Sequence, residues 1–243
     1  MIPKIIHYCW FGRNPLPESA KKCINSWRKF FPNYEIKEWN EDNFDVNIIP
    51  YTAEAYEAKK YAFVSDYARF WILYHYGGLY FDTDVEVIKP MDDIVERGPF
   101  MGIEVAAQGI NLPAINPGLG LGASPCLFLY KEILDFYLSI HFIKEDGSFN
   151  QVTVVSHTTK VLSGHGLNPS NDLQCVADIW VYPRDFFNPL NDLTGRIEQT
   201  NNTRSIHWYT RSWSDSPNWR IKISRWSHRV FGLKLHNFLR IFK

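Results

Sequence analysis

The chain reads as an α/β protein with a mostly parallel central sheet flanked by helices. Two stretches predict this class. The opening runs strand, helix, strand: an Ile-rich apolar segment at 2–8, an amphipathic segment at 17–31, and the alternating "YEIKEW" at 34–39. That order is the start of a β-α-β unit, whose parallel strands need a helical crossover. Further on, a helical region at 51–76 meets Gly77-Gly78 and then a short apolar strand at 79–82.

Each element has a local reason. Ile24, Trp27, Phe30 and Phe31 fall on one helical stripe, and Pro32 stops that helix. The second half of the long helix, "YAFVSDYARFWILYHY", is apolar nearly all round, so it belongs inside the fold. Glycines at 77 and 78 permit a tight reversal. Further short strands are expected near 99–105, 115–121 and 174–182, with helices near 126–143 and 151–163. The stretches at 111–117 and 183–192, rich in Pro and Asn, read as loops rather than domain boundaries.

Composition narrows the function classes. The chain has 243 residues, 45% hydrophobic and 16% aromatic, enough for one folded domain with a good core. Twenty-six basic residues balance 26 acidic ones, which argues against a general nucleic-acid binder. Cys9, Cys23, Cys126 and Cys175 are scattered, with no CxxC pair, so neither a zinc site nor a disulfide framework is expected. A reducing compartment follows, and with no cationic leader before a long apolar run the expected setting is cytoplasmic. Asn201-Asn202-Thr203 is a lone glycosylation sequon and carries little without a secretory signal. The last part differs in kind. Residues 219–243 mix Lys and Arg with Trp, Phe, Leu and Ile, and no acid follows Asp215. This basic amphipathic tail, set off from a domain at 1–218, suits peripheral binding to the inner face of a membrane. A terminal helix packed on the domain with its basic face in water suits it equally.

The chemistry concentrates at "GGLYFDTDVEV". Two acids, Asp82 and Asp84, close an apolar strand, which is costly unless something pairs with them. Two converging carboxylates suit a hard divalent cation, Mg²⁺ or Mn²⁺, with coordination positions left for a diphosphate. Asp66 and Arg69 share a helix face at i, i+3. From Asp66 the helix climbs about 15 Å. After the glycine reversal the strand returns roughly 13 Å. Asp66, Arg69, Asp82 and Asp84 are therefore expected at one end of the fold.

"YAFVSDYARFWILYHYGGLYFDTDVEVIKP" closely resembles the DXD sugar-binding region of the retaining glycosyltransferases of family 32, which include capsular-polysaccharide and yeast mannosyl transferases. The clostridial glucosylating toxins carry a related core. The opening "IPKIIHYCWFG" and "CINSWRKFFPNYEIKEWNEDNF" extend the resemblance over roughly 1–90. It implies a GT-A nucleotide-sugar fold and roles for particular positions. Trp10 would stack on the base, with Asn43 and Tyr80 beside the nucleoside. Asp66 and Arg69 would hold sugar hydroxyls. Asp82 would contact ribose or sugar and the metal shell, and Asp84 would bind the metal directly. Later in the chain, "SIHWYTRSW" resembles a His/Trp motif that would add His207 to the metal and Trp213 near the diphosphate. "INPGLGLGAS" resembles a loop lining the sugar, with Asn116 as candidate. "VVSHTTKVL" departs from the family's Thr-Gly-Pro pattern.

The resemblance thus implies a metal-dependent retaining hexosyltransferase. It would move a hexose from a nucleotide sugar, UDP-galactose or UDP-glucose, with UDP favoured over GDP by the toxin-like match at Trp10 and Asn43, to a hydroxyl of a lipid-linked or growing surface glycan such as a capsule or lipopolysaccharide. The sequence itself offers no assured nucleophile. Two rivals stay open. A phosphatase-like hydrolase would use Asp82 as nucleophile, but Glu86 stands where Thr or Val is wanted and no later Lys and acid set follows. A non-catalytic sugar-binding module would keep the pocket without the reaction.

Overall fold

The computed structural model describes residues 1–104, 113–192 and 194–210. The chain begins with β1 (Ile5–Cys9), α1 (Glu18–Phe30) and β2 (Glu35–Trp39). β1 and β2 pair in parallel, Ile5 opposite Glu35 and Cys9 opposite Trp39, as the opening pattern predicts. On α1, Ala20, Cys23, Ile24 and Trp27 form the buried stripe. The long helical region is two helices, α2 (Pro50–Glu57) and α3 (Tyr61–Tyr76), not one. Between them Lys59 takes a left-handed φ of 57°, and the Lys60 amide closes on the Ala55 carbonyl.

After α3 come β3 (Gly78–Tyr80), β4 (Val85–Val87), α4 (Asp92–Arg97) and β5 (Phe100–Glu104). The strand expected at 115–121 is broken in two, β6 (Ala114–Ile115) and β7 (Leu121–Ala123), by a single 3₁₀ turn at Pro117–Leu119. Then follow α5 (Phe128–Leu138), α6 (Val154–Gly164), the hairpin β8 (Gln174–Val176) and β9 (Ile179–Tyr182), α7 (Arg184–Phe187) and β10 (Ser205–His207). The short elements β4, α4, α7 and β10 carry no sequence signal of their own.

The main sheet runs β2-β1-β3-β7-β5-β9-β8, with β6 on β5. It is parallel across β2-β1-β3 and β5-β9, and antiparallel where β7 enters between β3 and β5. Side chains alternate across it, as the strand period requires. Tyr80, Met101 and Ile103 face the core beneath α3 and α5, whereas Leu79, Phe81 and Phe100 face the one beneath α1 and α7. Helices therefore cover both faces. Outside this sheet, β10 pairs antiparallel with β4 in a two-stranded ribbon. Trp27 of α1 donates its indole N–H to the Val85 carbonyl at 2.8 Å, tying that ribbon to the body. Among the described residues no helix is long and apolar enough to cross a membrane. The expected tail at 219–243 lies outside the described residues.

The reversal between α3 and β3 is held by a buried histidine. A Cβ on Gly78 would sit 2.6 Å from the Ile5 carbonyl oxygen, and its φ is 102°, so only glycine fits. His7 Nδ1 lies 3.0 Å from the Trp39 indole nitrogen, and indole can only donate. Its Nε2 therefore carries the proton and donates to Gly77 O at 3.0 Å. Burial pushes this imidazole down to about 4. Its neutral form is the folded one, so its contribution is complete above the unfolded value near 6.5 and is lost as pH falls toward 4. His7→Gln has no group titrating there. The stability of wild type relative to this variant should therefore fall by about 2 kcal/mol between pH 7.5 and 5. Urea denaturation at the two pH values measures it; a constant difference contradicts the neutral bridge.

Candidate active site

The acids stand where β3 ends. The strand stops at Tyr80, and a turn closed by Val85 N–H to Asp82 O at 3.0 Å separates Asp82 from Asp84. The two acids are thus aimed by a turn rather than by a shared strand face. Each carboxylate has one oxygen occupied by protein. Asp82 Oδ1 lies 3.2 Å from Arg69 Nη2 and accepts from the Tyr80 hydroxyl at 3.1 Å. Asp84 Oδ2 accepts from the Thr210 amide at 2.8 Å and its hydroxyl at 3.0 Å. The remaining oxygens turn toward His207: Nε2 is 3.1 Å from Asp84 Oδ1 and 4.0 Å from Asp82 Oδ2. Ligand atoms of Asp82, Asp84 and His207 all fall within 4.8 Å of one another.

His207 arrives through the β4–β10 ribbon, where it pairs with Val85. On the other side, Arg69 Nη2 is 2.9 Å from Asp66 Oδ1, its Nε donates to Ser65 O, and its guanidinium stands 5.1 Å from the Tyr80 ring centre. Arg69 is 3% exposed, so this is a buried cation between two acids. The helix climb and strand return do bring Asp66, Arg69, Asp82 and Asp84 together, as the spacing predicts.

Charge states follow from these neighbours. Burial pushes Asp84 up, but the His207 charge, its hydrogen bond and both Thr210 bonds outweigh it and hold the carboxyl well below the usual range. Burial lowers His207, and Asp84, Asp82 and Glu104 more than compensate, so it is raised. Asp66 is lifted to about 6, chiefly by burial and against the pull of Arg69.

A cavity of about 730 Å³ opens over this floor, within the range of small-ligand sites. Trp10, Lys59, Lys60, Tyr61, Thr83, Asp192 and Tyr209 line it along with Arg69, Tyr80, Asp82, Asp84 and His207. The Trp10 indole N–H donates to Asn14 O at 2.6 Å, which pins the ring at the wall. Two expected residues are elsewhere. Asn43 does not line the cavity; its side chain accepts from the Asn40 amide and donates to Glu38 O, folding its own turn. Asn116 is buried and donates to Glu104 Oε2 at 2.8 Å. Trp213 lies outside the described residues. Sequence reasoning missed Lys59 and Lys60, which reach the wall only because the helical region breaks there, and Glu104, Tyr209 and Thr210, which no spacing rule connects to the acid pair.

The layered fold, with β7 entering antiparallel between β3 and β5 and an acid pair at the end of β3, is the GT-A fold. Two solved structures share it. The PaToxG glycosyltransferase superposes with a TM-score of 0.51 at 19% identity, covering 67% of this chain and 69% of its own. A glycosyltransferase involved in glycosylation of the major capsid of PBCV-1 gives 0.50 at 15% identity, covering 91% and 99%. Residues 17–101 match the family model described as glycosyltransferase sugar-binding region containing DXD motif, so the chain carries that region. Its curated relatives include inositol phosphoceramide mannosyltransferases 1 and 3 of Schizosaccharomyces pombe. Number 1 is 31% identical over 41% of this chain and 33% of its own length, and number 3 is 33% identical over 58% and 40%. The uncharacterized glycosyltransferase L373 of Acanthamoeba polyphaga mimivirus is 26% identical over 79% of this chain and 77% of its own. The matches thus span a third to two fifths of the yeast proteins' length and about three quarters of the viral one's.

The buried cation sets a stability expectation. Arg69→Met leaves Asp66 and Asp82 facing each other without their shared partner, and removing one member of such a group costs about 3–5 kcal/mol. Urea denaturation of the purified variant measures the loss. A change under about 1 kcal/mol, the worth of a surface pair, contradicts the arrangement.

Proposed function

We propose that this chain is a metal-dependent, retaining glycosyltransferase that moves a hexose from a nucleoside diphosphate to a hydroxyl of a lipid-linked or growing surface glycan. One observation carries the reading. Ligand atoms of Asp82, Asp84 and His207, which within the protein face only one another, converge on the floor of a cavity whose walls include Trp10, Arg69 and two lysines.

The donor set fits a divalent cation. Two carboxylates and one imidazole suit Mn²⁺ better than Mg²⁺, which prefers oxygen throughout. Asp82, Asp84 and His207 would hold the ion; bound there, it supplies positive charge for the departing diphosphate. The chain's own residues do the rest. Trp10 offers an aromatic face for the base. Arg69 is neutralised by its two acids, so it orients rather than attracts, and the Asp66–Arg69 pair offers directional hydrogen bonds to sugar hydroxyls. Lys59 and Lys60 bring cationic side chains to the wall of the same cavity.

The acceptor class draws on the yeast relatives, whose names specify mannosyl transfer to an inositol phosphoceramide. The sugar is the least constrained part, because hexoses differ by single hydroxyl orientations. UDP-glucose and UDP-galactose are the first donors to test, with GDP-mannose beside them.

The test is donor turnover with Mn²⁺ and with EDTA, for wild type and Asp84→Asn. We expect wild type to cleave one nucleotide sugar and to lose that turnover with EDTA. Asp84→Asn should lose at least about a hundredfold at saturating Mn²⁺, the scale for losing a group that stabilises transition-state charge. Undiminished turnover of both proteins in EDTA overturns the proposal. Release of inorganic phosphate from simple phosphomonoesters with no cleavage of any nucleotide sugar favours the hydrolase.

A further inference from the structure

We infer that Glu104 is a positioning residue for the metal ligand His207, acting through Tyr209. The inference rests on the reading that Asp82, Asp84 and His207 hold a divalent cation.

It begins with a missing bond. A histidine that ligates a metal through one ring nitrogen ordinarily donates the other N–H to a carboxylate or carbonyl, and that bond fixes the ring. His207 Nδ1 is buried and has no hydrogen-bond partner among the described residues. The ring is held by contact instead. Tyr209 stands edge-on to it, centroids 4.2 Å apart and planes at 86°. Tyr209 itself sits at a φ of 49°, in the left-handed region that a bulky residue rarely adopts. Something must hold it there. Its hydroxyl donates to Glu104 Oε2 at 3.2 Å.

The same oxygen accepts from Asn116 Nδ2 at 2.8 Å, and Asn116 Oδ1 accepts from the Gly118 amide at 2.7 Å. Gly118 in turn borders the other ligand: a Cβ there would lie 2.3 Å from Asp82 Oδ2. Glu104, at the end of β5, is therefore the node from which one arm reaches His207 and another the backbone against Asp82. Glu104 does not line the cavity, and one of its oxygens already serves two donors. A positioning role fits this geometry better than direct contact with a sugar.

The test reads metal affinity in the full chain, without turnover: Mn²⁺ titration followed by loss of the free-ion EPR signal. Tyr209→Phe keeps the ring and removes the bond to Glu104; Glu104→Ala removes the acceptor. Each should weaken Mn²⁺ binding about tenfold, the lower end for lost outer-shell partners. The double variant should bind no more weakly than Glu104→Ala alone, because that substitution already cuts the link that Tyr209 uses. Glu104→Gln keeps an acceptor oxygen and should bind within about threefold of wild type. Should Glu104→Ala not fold, Tyr209→Phe and Glu104→Gln decide alone. Wild-type affinity in Tyr209→Phe overturns the inference. So do losses that multiply in the double variant, or a Glu104→Gln as weak as Tyr209→Phe, which would assign the effect to charge rather than to the link. A wild-type chain that takes up no Mn²⁺ overturns the metal reading itself, and this inference with it.

Discussion

Everything at the site turns on one buried cation. Arg69 stands between Asp66 and Asp82 on a helix that is otherwise apolar on nearly every side. Removed from water, its charge requires both acids, and each acid is tolerable there only because of it. This mutual need fixes the rotamer of Asp82. With Oδ1 committed to Arg69 and Tyr80, Oδ2 is left toward the cavity and toward His207. Asp84 is ordered by the same logic from the other side, Thr210 taking one oxygen and His207 the other. The candidate metal site consists of the atoms that Arg69, Tyr80 and Thr210 leave free to face one another.

That arrangement needs α3 and β3 in fixed register. The register is set far from the acids, at the Gly77-Gly78 reversal. His7 bridges Gly77 and Trp39, joining the turn to two neighbouring strands. Gly78 lies so close to the Ile5 carbonyl that no side chain fits. A small error at this end would be carried along the whole helix and strand to the other. The conformational strictness of two glycines thus serves groups that lie at the far end of the pair.

How much of this was legible in the sequence follows from how local each feature is. The opening β-α-β unit, the buried character of α3 and the meeting of Asp66, Arg69, Asp82 and Asp84 come from periodicity and rise per residue, and the structure shows all of them. The split at Ala58–Lys60 was not legible, because a left-handed Lys leaves no compositional mark; it moves two lysines to the cavity wall. The strand expected at 115–121 breaks because Pro117 opens a 3₁₀ turn inside it. Asn43 is a case of local competition: its amide completes its own turn, as Asn side chains tend to do. Glu104 ends an apolar strand much as Asp82 does, but its partners Asn116 and Tyr209 are fixed only by tertiary contacts.

The ribbon between β4 and β10 has a consequence for how the molecule is made. The Thr210 amide that grips Asp84 lies 126 residues further along the chain. Asp66, Arg69 and Asp82 can meet as soon as one helix and its strand have formed, whereas Asp84 stays half-dressed until almost the whole described chain exists. Closing so long a loop adds little entropy beyond a shorter one, since that term grows only with the logarithm of length. Order of assembly is a different matter. During synthesis Asp66, Arg69 and Asp82 emerge long before His207 and Thr210. The three candidate ligand atoms can therefore face one another only after position 207 has been made.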